Sequence, residues 1–125
     1  MTLLEECIVA LGKDAKVLDG SEDVFVRKKF DENIPLTAWF SFDYDQIEGK
    51  KEKCNITELA NYLNSNKYYI FWDDATMPAL FCSKSALLDN IDDVTAVSPN
   101  TWLMSEDFKC FVEMYHEYEI TVVTL

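Results

Sequence analysis

Apolar and polar positions along the chain form short segments with helical or strand periodicity. The first segment has apolar side chains at helical spacing: Leu4, Cys7, Ile8 and Leu11. Thr2 and Glu5 have the spacing of a capping box, and Gly12 is a typical C-terminal stop. The pattern therefore predicts a helix over residues 2–11, followed by a loop over residues 13–23 with a brief strand at residues 16–18.

Alternation from Leu36 to Asp45 predicts a strand with one buried and one exposed face. The positions assigned to the core are Leu36, Ala38, Phe40, Phe42 and Tyr44. On the exposed face, Trp39 is expected beside the carboxylates of Asp43 and Asp45. An earlier strand is predicted to begin at residues 24–26, and residues 46–54 are expected to form a mobile connection.

Five large side chains in a row, residues 68–72, precede the adjacent carboxylates of Asp73 and Asp74. A run of this kind ended by a turn is typical of a strand buried on both faces. We therefore expect a central strand over residues 68–74, a tight reversal, and a returning strand over residues 77–82. Trp72 is expected to lie in the core.

The remaining elements are predicted from caps and alternation. Asn55 and Glu58 form a second capping box, which predicts a helix to Leu63, and a shorter helix is expected from Ser83 or Ser85 to about residue 90. A strand is predicted at residues 94–97, and a hairpin from residues 108–115 and 120–125 closes the chain. The predicted fold is a single α+β domain of residues 1–125, with a mainly antiparallel sheet packed against two or three short helices.

Charge narrows the choice of partner. The net charge is −12, and residues 31–125 carry seventeen acidic and six basic side chains. Nucleic-acid binding normally needs a basic surface, and anionic membranes attract basic segments. The sequence therefore argues against direct contact with either, and favours a basic protein partner.

The residues that usually carry metal, redox or catalytic chemistry are sparse and unclustered. The four cysteines are widely spaced without a CxxC pair, and three lie in apolar runs typical of buried free thiols. His116, in the predicted hairpin turn, is the sole histidine. We expect no metal, no cofactor and no catalytic residue. The start of the chain lacks the basic residues of a signal peptide, which favours a reducing, cytoplasmic location.

Aromatic side chains recur beside carboxylates, a combination typical of protein interfaces with basic partners. Acidic residues at strand ends also form turns, so such pairs alone do not define an acid–base site. The residues predicted to contact a partner are Trp39, Asp43, Asp45, Asp73, Asp74, Glu113, Tyr115, Glu117, Tyr118 and Glu119.

The order of features over residues 68–125 resembles the immunity proteins of bacterial contact-dependent growth inhibition. The segments that carry this resemblance are YYIFWDD, MPALFC, NIDDV, SPNTWL and FVEMYHEYEITVV. The resemblance implies a small intracellular protein that binds one cognate toxin domain, commonly a nuclease, and blocks its active site or the access of substrate.

Two other functions remain open from the sequence. An acidic nucleic-acid mimic that inhibits a restriction or defence enzyme would also be this negative. A small metal-dependent hydrolase would use an acid pair together with His116. A mimic is expected to array acids over one extended surface, whereas an immunity protein is expected to combine a compact acidic patch with aromatic anchors.

Overall fold

The computed structural model describes residues 1–115 and 119–125, which form an antiparallel sheet with helices on both faces. The helices are α1 (Leu3–Leu11), α2 (Gly20–Asn33), α3 (Lys84–Asp89) and α4 (Ile91–Thr95). The strands are β1 (Lys16–Val17), β2 (Lys50–Cys54), β3 (Lys67–Trp72), β4 (Leu80–Ser83), β5 (Asn100–Ser105), β6 (Cys110–Tyr115) and β7 (Glu119–Thr124).

Seven strands of the described residues lie in the order β1-β4-β3-β5-β6-β7-β2, each antiparallel to its neighbours. Strand β5 occupies the middle of the sheet, and β1 and β2 form its two edges. The predicted α+β class with an antiparallel sheet is confirmed.

Alternate side chains of each strand point to opposite faces, so the sheet separates two hydrophobic cores. Tyr68, Ile70 and Trp72 of β3 pack into the first core with α1 and α4. Phe71 of the same strand packs into the second core with Phe30 of α2. The first face is covered by three helices, whereas the second is covered by α2 and the irregular segment that follows it.

Several predicted elements are confirmed. Helix α1 begins with the capping box of Thr2 and Glu5 and ends at Gly12. The central strand, the returning strand, the helix capped by Ser83 and the C-terminal hairpin are all present. Trp72 is buried, as predicted. The hairpin reversal predicted at residues 116–119 includes residues 116–118, which lie outside the described part of the chain.

Two strand predictions are wrong, because these segments form parts of helices whose apolar side chains enter the cores. Residues 24–26 lie within α2, where Val26 and Phe30 are buried one helical turn apart. An ion pair between Asp23 and Arg27 at 2.8 Å adds an i,i+4 contact on the same helix. Of residues 94–97, the first two belong to a helix, α4, from which Val94 enters the first core, and the other two follow its end.

The predicted helix from Asn55 to Leu63 and the predicted mobile connection at residues 46–54 are also wrong. Asn55 and Glu58 make the reciprocal hydrogen bonds of a capping box at 3.0 and 3.1 Å, but only a 3-10 turn at Leu59–Asn61 follows. Leu59 and Leu63 nevertheless fill the first core. The predicted mobile connection contains edge strand β2, which pairs with β7 over five residues.

Candidate functional site

The segment between α2 and β2 lies over the second face of the sheet; we call residues 35–47 the tip loop. Leu36 and Phe42 form a single antiparallel bridge. The Thr37 N–H donates to the Ser41 carbonyl at 2.8 Å, and the Phe40 N–H donates to the Thr37 carbonyl at 3.0 Å. The predicted strand from Leu36 to Asp45 is therefore wrong, because the chain reverses at residues 38–40.

The reversal presents two adjacent aromatic side chains to solvent. Trp39 is 86% exposed and Phe40 is 61% exposed. Phe40 has φ 58°, a left-handed conformation that costs a non-glycine residue about 1 kcal/mol. The Thr37 hydroxyl accepts a hydrogen bond of 3.2 Å from the Trp39 N–H and is 2.9 Å from the Ser41 hydroxyl. The turn is thus held by local hydrogen bonds and not by burial of its two rings.

A buried carboxylate joins the tip loop to the sheet. Glu113 of β6 is only 5% exposed. One of its oxygens accepts from the Phe42 N–H at 2.8 Å, and the other accepts from the Tyr44 hydroxyl at 2.7 Å. Burial, together with the neighbouring Glu113 carboxylate, raises the pKa of Tyr44 well above its ordinary value, so this hydroxyl remains a donor. The prediction that Glu113 is an exposed charge is wrong, because the tip loop covers it.

One cleft lies between the tip loop and the sheet edge formed by β6, β7 and β2; we call it the edge cleft. Its volume is about 430 Å³. Its lining residues are Tyr44, Lys51, Lys53, Cys54, Glu113, Tyr115, Glu119, Ile120 and Thr121. Tyr115 and Glu119 face each other across the β6–β7 ladder. The cleft thus combines two lysines with the predicted acidic and aromatic residues.

A second cleft, the aromatic cleft, lies on the other side of the tip loop, between α2 and the ends of β3 and β5. Its volume is about 290 Å³. The lining residues are Arg27, Phe30, Asp31, Leu36, Phe40, Phe71, Trp72, Asp73, Ala75 and Trp102. Since Tyr44 lines one cleft and Phe40 lines the other, the tip loop separates the two.

The structure brings most of the predicted contact residues around the tip loop. Trp39, Asp43 and Asp45 belong to it, Asp73 lines the aromatic cleft, and Tyr115 and Glu119 line the edge cleft. Asp43 and Asp45 do not project from a strand, because residues 44–46 form a 3-10 turn. Glu117 and Tyr118, predicted to join them, lie outside the described residues, as does His116.

The acid pair at the end of β3 is divided between two environments. Asp73 accepts a hydrogen bond from the Ser98 hydroxyl. Asp74 accepts from the hydroxyl and N–H of Thr76 at 2.6 and 2.9 Å, and these bonds lower the pKa of its carboxyl. Asp74 is therefore a turn-forming residue with an exposed charge, the structural role that acids at strand ends often have.

Sequence reasoning missed four residues of the site. Phe40 and Tyr44 were placed on a core face, and Lys51 and Lys53 were placed in a mobile connection. The available signal was the pair of consecutive aromatic residues at positions 39 and 40. In a strand with one buried face, one of two neighbouring side chains faces solvent, and an exposed aromatic ring beside carboxylates is typical of a binding surface.

Among residues 1–115 and 119–125, no group of three or more histidine, cysteine or acidic side chains is arranged to hold a metal ion. Within the same part of the chain, no helix is sufficiently long and apolar to cross a membrane. What the site offers is exposed rings, carboxylates and two clefts on one face, an arrangement suited to binding a protein surface.

The comparison with protein families identifies the family of this chain. The family described as CdiI immunity protein EcoliA0-like matches residues 1–123. None of the curated proteins matches the chain. The family match confirms the resemblance read from residues 68–125 and extends it to α1, α2 and the tip loop. The chain therefore belongs to the CdiI immunity protein family, whose members neutralise toxins.

Proposed function

We propose that this chain neutralises a nuclease toxin domain by docking the tip loop over its active site or over the path that the substrate takes. The exposure of Trp39 and Phe40 on a loop anchored by Glu113 is the observation that carries this proposal. Inhibition by this route is binding alone, and the chain performs no reaction on the toxin.

The two rings have the properties of interface anchors. Tryptophan and other aromatic residues dominate binding energy when they are desolvated in a partner's pocket. Trp39 and Phe40 are adjacent, exposed and held in place before the partner arrives. A loop ordered in advance loses less conformational entropy on binding, so more of the contact energy appears as affinity.

Carboxylates around the rings supply the charge. Asp43 and Asp45 follow the rings on the tip loop, and Asp73 lines the aromatic cleft together with Phe40. A nuclease presents basic groups to the phosphates of its substrate. An inhibitor that offers carboxylates to those groups occupies the substrate's place, and the net charge of −12 steers the encounter.

The outer part of the contact is assigned to the remaining predicted residues. Tyr115 and Glu119 line the edge cleft, Asp74 follows Asp73 in sequence, and Glu117 and Tyr118 lie between Tyr115 and Glu119 in sequence. Rim charges of this kind change association rates and specificity more than they change affinity.

The alternative of a nucleic-acid mimic predicts an unbroken acidic array. Edge strand β2 instead places Lys51 and Lys53 in the same cleft as Glu119. Alternating charge suits a protein partner with a defined pattern of basic and acidic groups, which favours the immunity function.

The test uses the toxin domain encoded immediately upstream, titrated with this chain in a nuclease assay and in stopped-flow binding. We expect stoichiometric loss of nuclease activity and an association rate constant that falls about tenfold or more between low and high salt. A toxin that binds tightly yet keeps its nuclease activity would refute the blocking mechanism. A salt-independent association rate would refute electrostatic steering.

A further inference from the structure

We propose that the tip loop has two positions, closed and open, and that Glu113 changes hydrogen-bond donors between them. In the closed position, which the structure shows, Glu113 accepts from the Phe42 N–H and the Tyr44 hydroxyl. In the open position the loop lifts from the sheet as one body, and Glu113 accepts from the indole N–H of Trp102 instead. This inference goes beyond the proposed function, because it concerns the free protein and is independent of the toxin's activity.

The two arms of the tip loop are hydrogen-bonded to each other. The Asp43 N–H donates to the Pro35 carbonyl at 2.9 Å, and the Thr37 N–H donates to the Ser41 carbonyl at 2.8 Å. The antiparallel bridge described above also joins one arm to the other. A segment bonded internally in this way opens as a unit, because its own hydrogen bonds survive the loss of its contacts with the sheet.

Hydrogen bonds from the loop to the sheet converge on a few side chains. Two of them end on the Glu113 carboxylate. The Thr121 hydroxyl interacts with that of Tyr44. The Asn100 amide donates to the Phe40 carbonyl at 3.5 Å, which is beyond the usual length of such a bond. The loop therefore separates from the sheet when a small number of polar contacts break together.

Burial of one ring favours the closed position. Phe42 is 2% exposed, and its ring centroid lies 5.8 Å from that of Phe30 and 6.1 Å from that of Trp102. Opening exposes this ring, so the closed position remains the major one. The clefts on the two sides of the loop, of about 430 and 290 Å³, leave it room to lift.

The closed position leaves two buried polar atoms beneath the loop without partners. Among the described residues, neither Nε1 of Trp102 nor Oδ1 of Asn100 has a hydrogen-bond partner, and both residues are almost fully buried. They lie two positions apart on β5 and so share the face that the loop covers. By contrast, the Trp72 indole donates to the Val94 carbonyl at 3.0 Å. An unpaired buried polar group carries a desolvation penalty, which opening relieves.

Glu113 is placed to accept from the indole once the loop has lifted. Trp102 and Glu113 are directly opposite each other in the register of β5 and β6. Their Cβ atoms are therefore about 5 Å apart on one face of the sheet. When Phe42 leaves, a change of side-chain rotamer brings the indole N–H to the carboxylate. The carboxylate thus keeps a donor in both positions, which avoids the penalty of an unpaired charge.

Amide hydrogen exchange of the free protein, followed by NMR, tests the motion. The Phe42 N–H reports the contact with the sheet, and the Asp43 N–H reports a bond within the loop. We expect a protection factor for Phe42 about 100-fold below those of the hydrogen-bonded amides of β5 and β6, and about tenfold below that of Asp43. Protection of Phe42 equal to that of the sheet would overturn the open position. Equal protection of Phe42 and Asp43 would overturn movement as one body.

Trp102→Phe tests why the loop opens. It removes the unpaired N–H, so we expect the protection of Phe42 to rise about tenfold. A role in packing alone predicts the opposite sign, because the substitution shrinks a buried side chain. Unchanged or lower protection would overturn the role of the indole. If this variant fails to fold, as judged by circular dichroism, Asn100→Ala is judged by the same criterion, because it removes the other unpaired atom.

Thr101→Val is the matched control. The Thr101 hydroxyl is also buried without a partner among the described residues, and it belongs to the same strand. By alternation it points to the opposite face of the sheet, away from the tip loop. Its removal should change the protection of Phe42 by less than about threefold. A rise equal to that in Trp102→Phe would show a general effect on β5 and would overturn the assignment to the tip loop.

Discussion

The Glu113 carboxylate accepts a hydrogen bond of 2.8 Å from the Phe42 N–H, which joins β6 to a loop 71 residues earlier in the chain. Replacing Glu113 with alanine leaves this N–H and the Tyr44 hydroxyl without their acceptor. We expect the free energy of unfolding to fall by about 1–3 kcal/mol, measured by urea denaturation. The affinity for the toxin should also fall, because the loop that presents the aromatic rings loses its anchor.

Glu119→Gln is the matched control for that substitution. Glu119 lies on the neighbouring strand and is exposed, so its replacement should change stability by less than about 0.5 kcal/mol. Equal destabilisation by the two variants would contradict an anchoring role for Glu113.

Trp39→Ala should separate binding from folding. The ring is exposed and contributes little to the core, so we expect stability to stay within about 0.5 kcal/mol of the wild type. Loss of an anchor residue should weaken toxin binding by about 30-fold or more. Val9→Ala, which alters an exposed residue on α1 at the other face, is the control and should leave affinity unchanged. Equal affinities of all three proteins would exclude the tip loop from the interface.

The four thiols should differ sharply in reactivity. Burial raises the pKa of Cys7 and Cys110 to about 11 and that of Cys82 to about 12. At about pH 8, fewer than roughly one in a hundred of these groups is a thiolate, and each is also enclosed by the core. Cys54 is only partly buried and lines the edge cleft. Mass spectrometry after brief iodoacetamide treatment should therefore find a single label, at Cys54, and urea should expose all four.

Bound toxin should slow the labelling of Cys54 if the partner covers the edge cleft as well as the tip loop. Cys54→Ser should show no rapid labelling. Rapid reaction at a second cysteine in the native protein would contradict the burial of the other three.

Stability should fall at alkaline pH. Burial raises the pKa of Cys82 from its ordinary value of 9.0 and that of Tyr68 from 10.0, each to about 12. The native protein keeps these protons at a pH where the unfolded chain releases them. Their contribution is therefore complete below about pH 9 and is lost as the pH rises toward 12. Urea midpoints measured across this range should decline, and Cys82→Ala should reduce the decline; a flat profile would contradict these shifts.

Gly49 should tolerate no side chain. Its φ of 121° is unfavourable for other residues, and an added Cβ would lie 2.6 Å from the Thr124 carbonyl oxygen at the end of β7. Gly49→Ala should lower the free energy of unfolding by about 2 kcal/mol or more. Gly20→Ala is the comparison, because Gly20 has φ 53° but no atom within 4 Å of its Cβ position. It should cost only about 1 kcal/mol. Equal losses of stability in the two variants would show that backbone strain, and not the contact with Thr124, causes the effect at Gly49.

The sequence predicted the sheet best where local pattern and burial agree. The run at residues 68–72 and the alternation of β6 and β7 correspond to strands whose apolar side chains face the cores. The capping box at Thr2 predicted helix α1 correctly, because the apolar stripe that follows it packs against the first core. At Asn55 a capping box of the same type precedes only a 3-10 turn, whose Leu59 packs into the first core, so tertiary packing overrides the local signal.

The site was harder to predict because its features depend on distant contacts. Strand β2 carries three lysines and is a strand only because β7 pairs with it. Alternation over residues 36–45 resembled a strand, yet of its supposed core face only Phe42 is fully buried. Glu113 looked like a surface charge because no local pattern reveals that a loop 71 residues away covers it.

The attachment of the tip loop affects how a protein of this kind can acquire specificity for a different partner. One bridge, one buried carboxylate, a few local hydrogen bonds and the buried side chains of Phe42 and Ile47 hold residues 35–47, while Trp39 and Phe40 remain outside both cores. Substitutions at Trp39 and Phe40 are therefore expected to have little effect on folding, so that in the proposed function recognition and stability reside in separate residues. A new specificity can be acquired through a few replacements on this loop, without rebuilding the sheet that supports it.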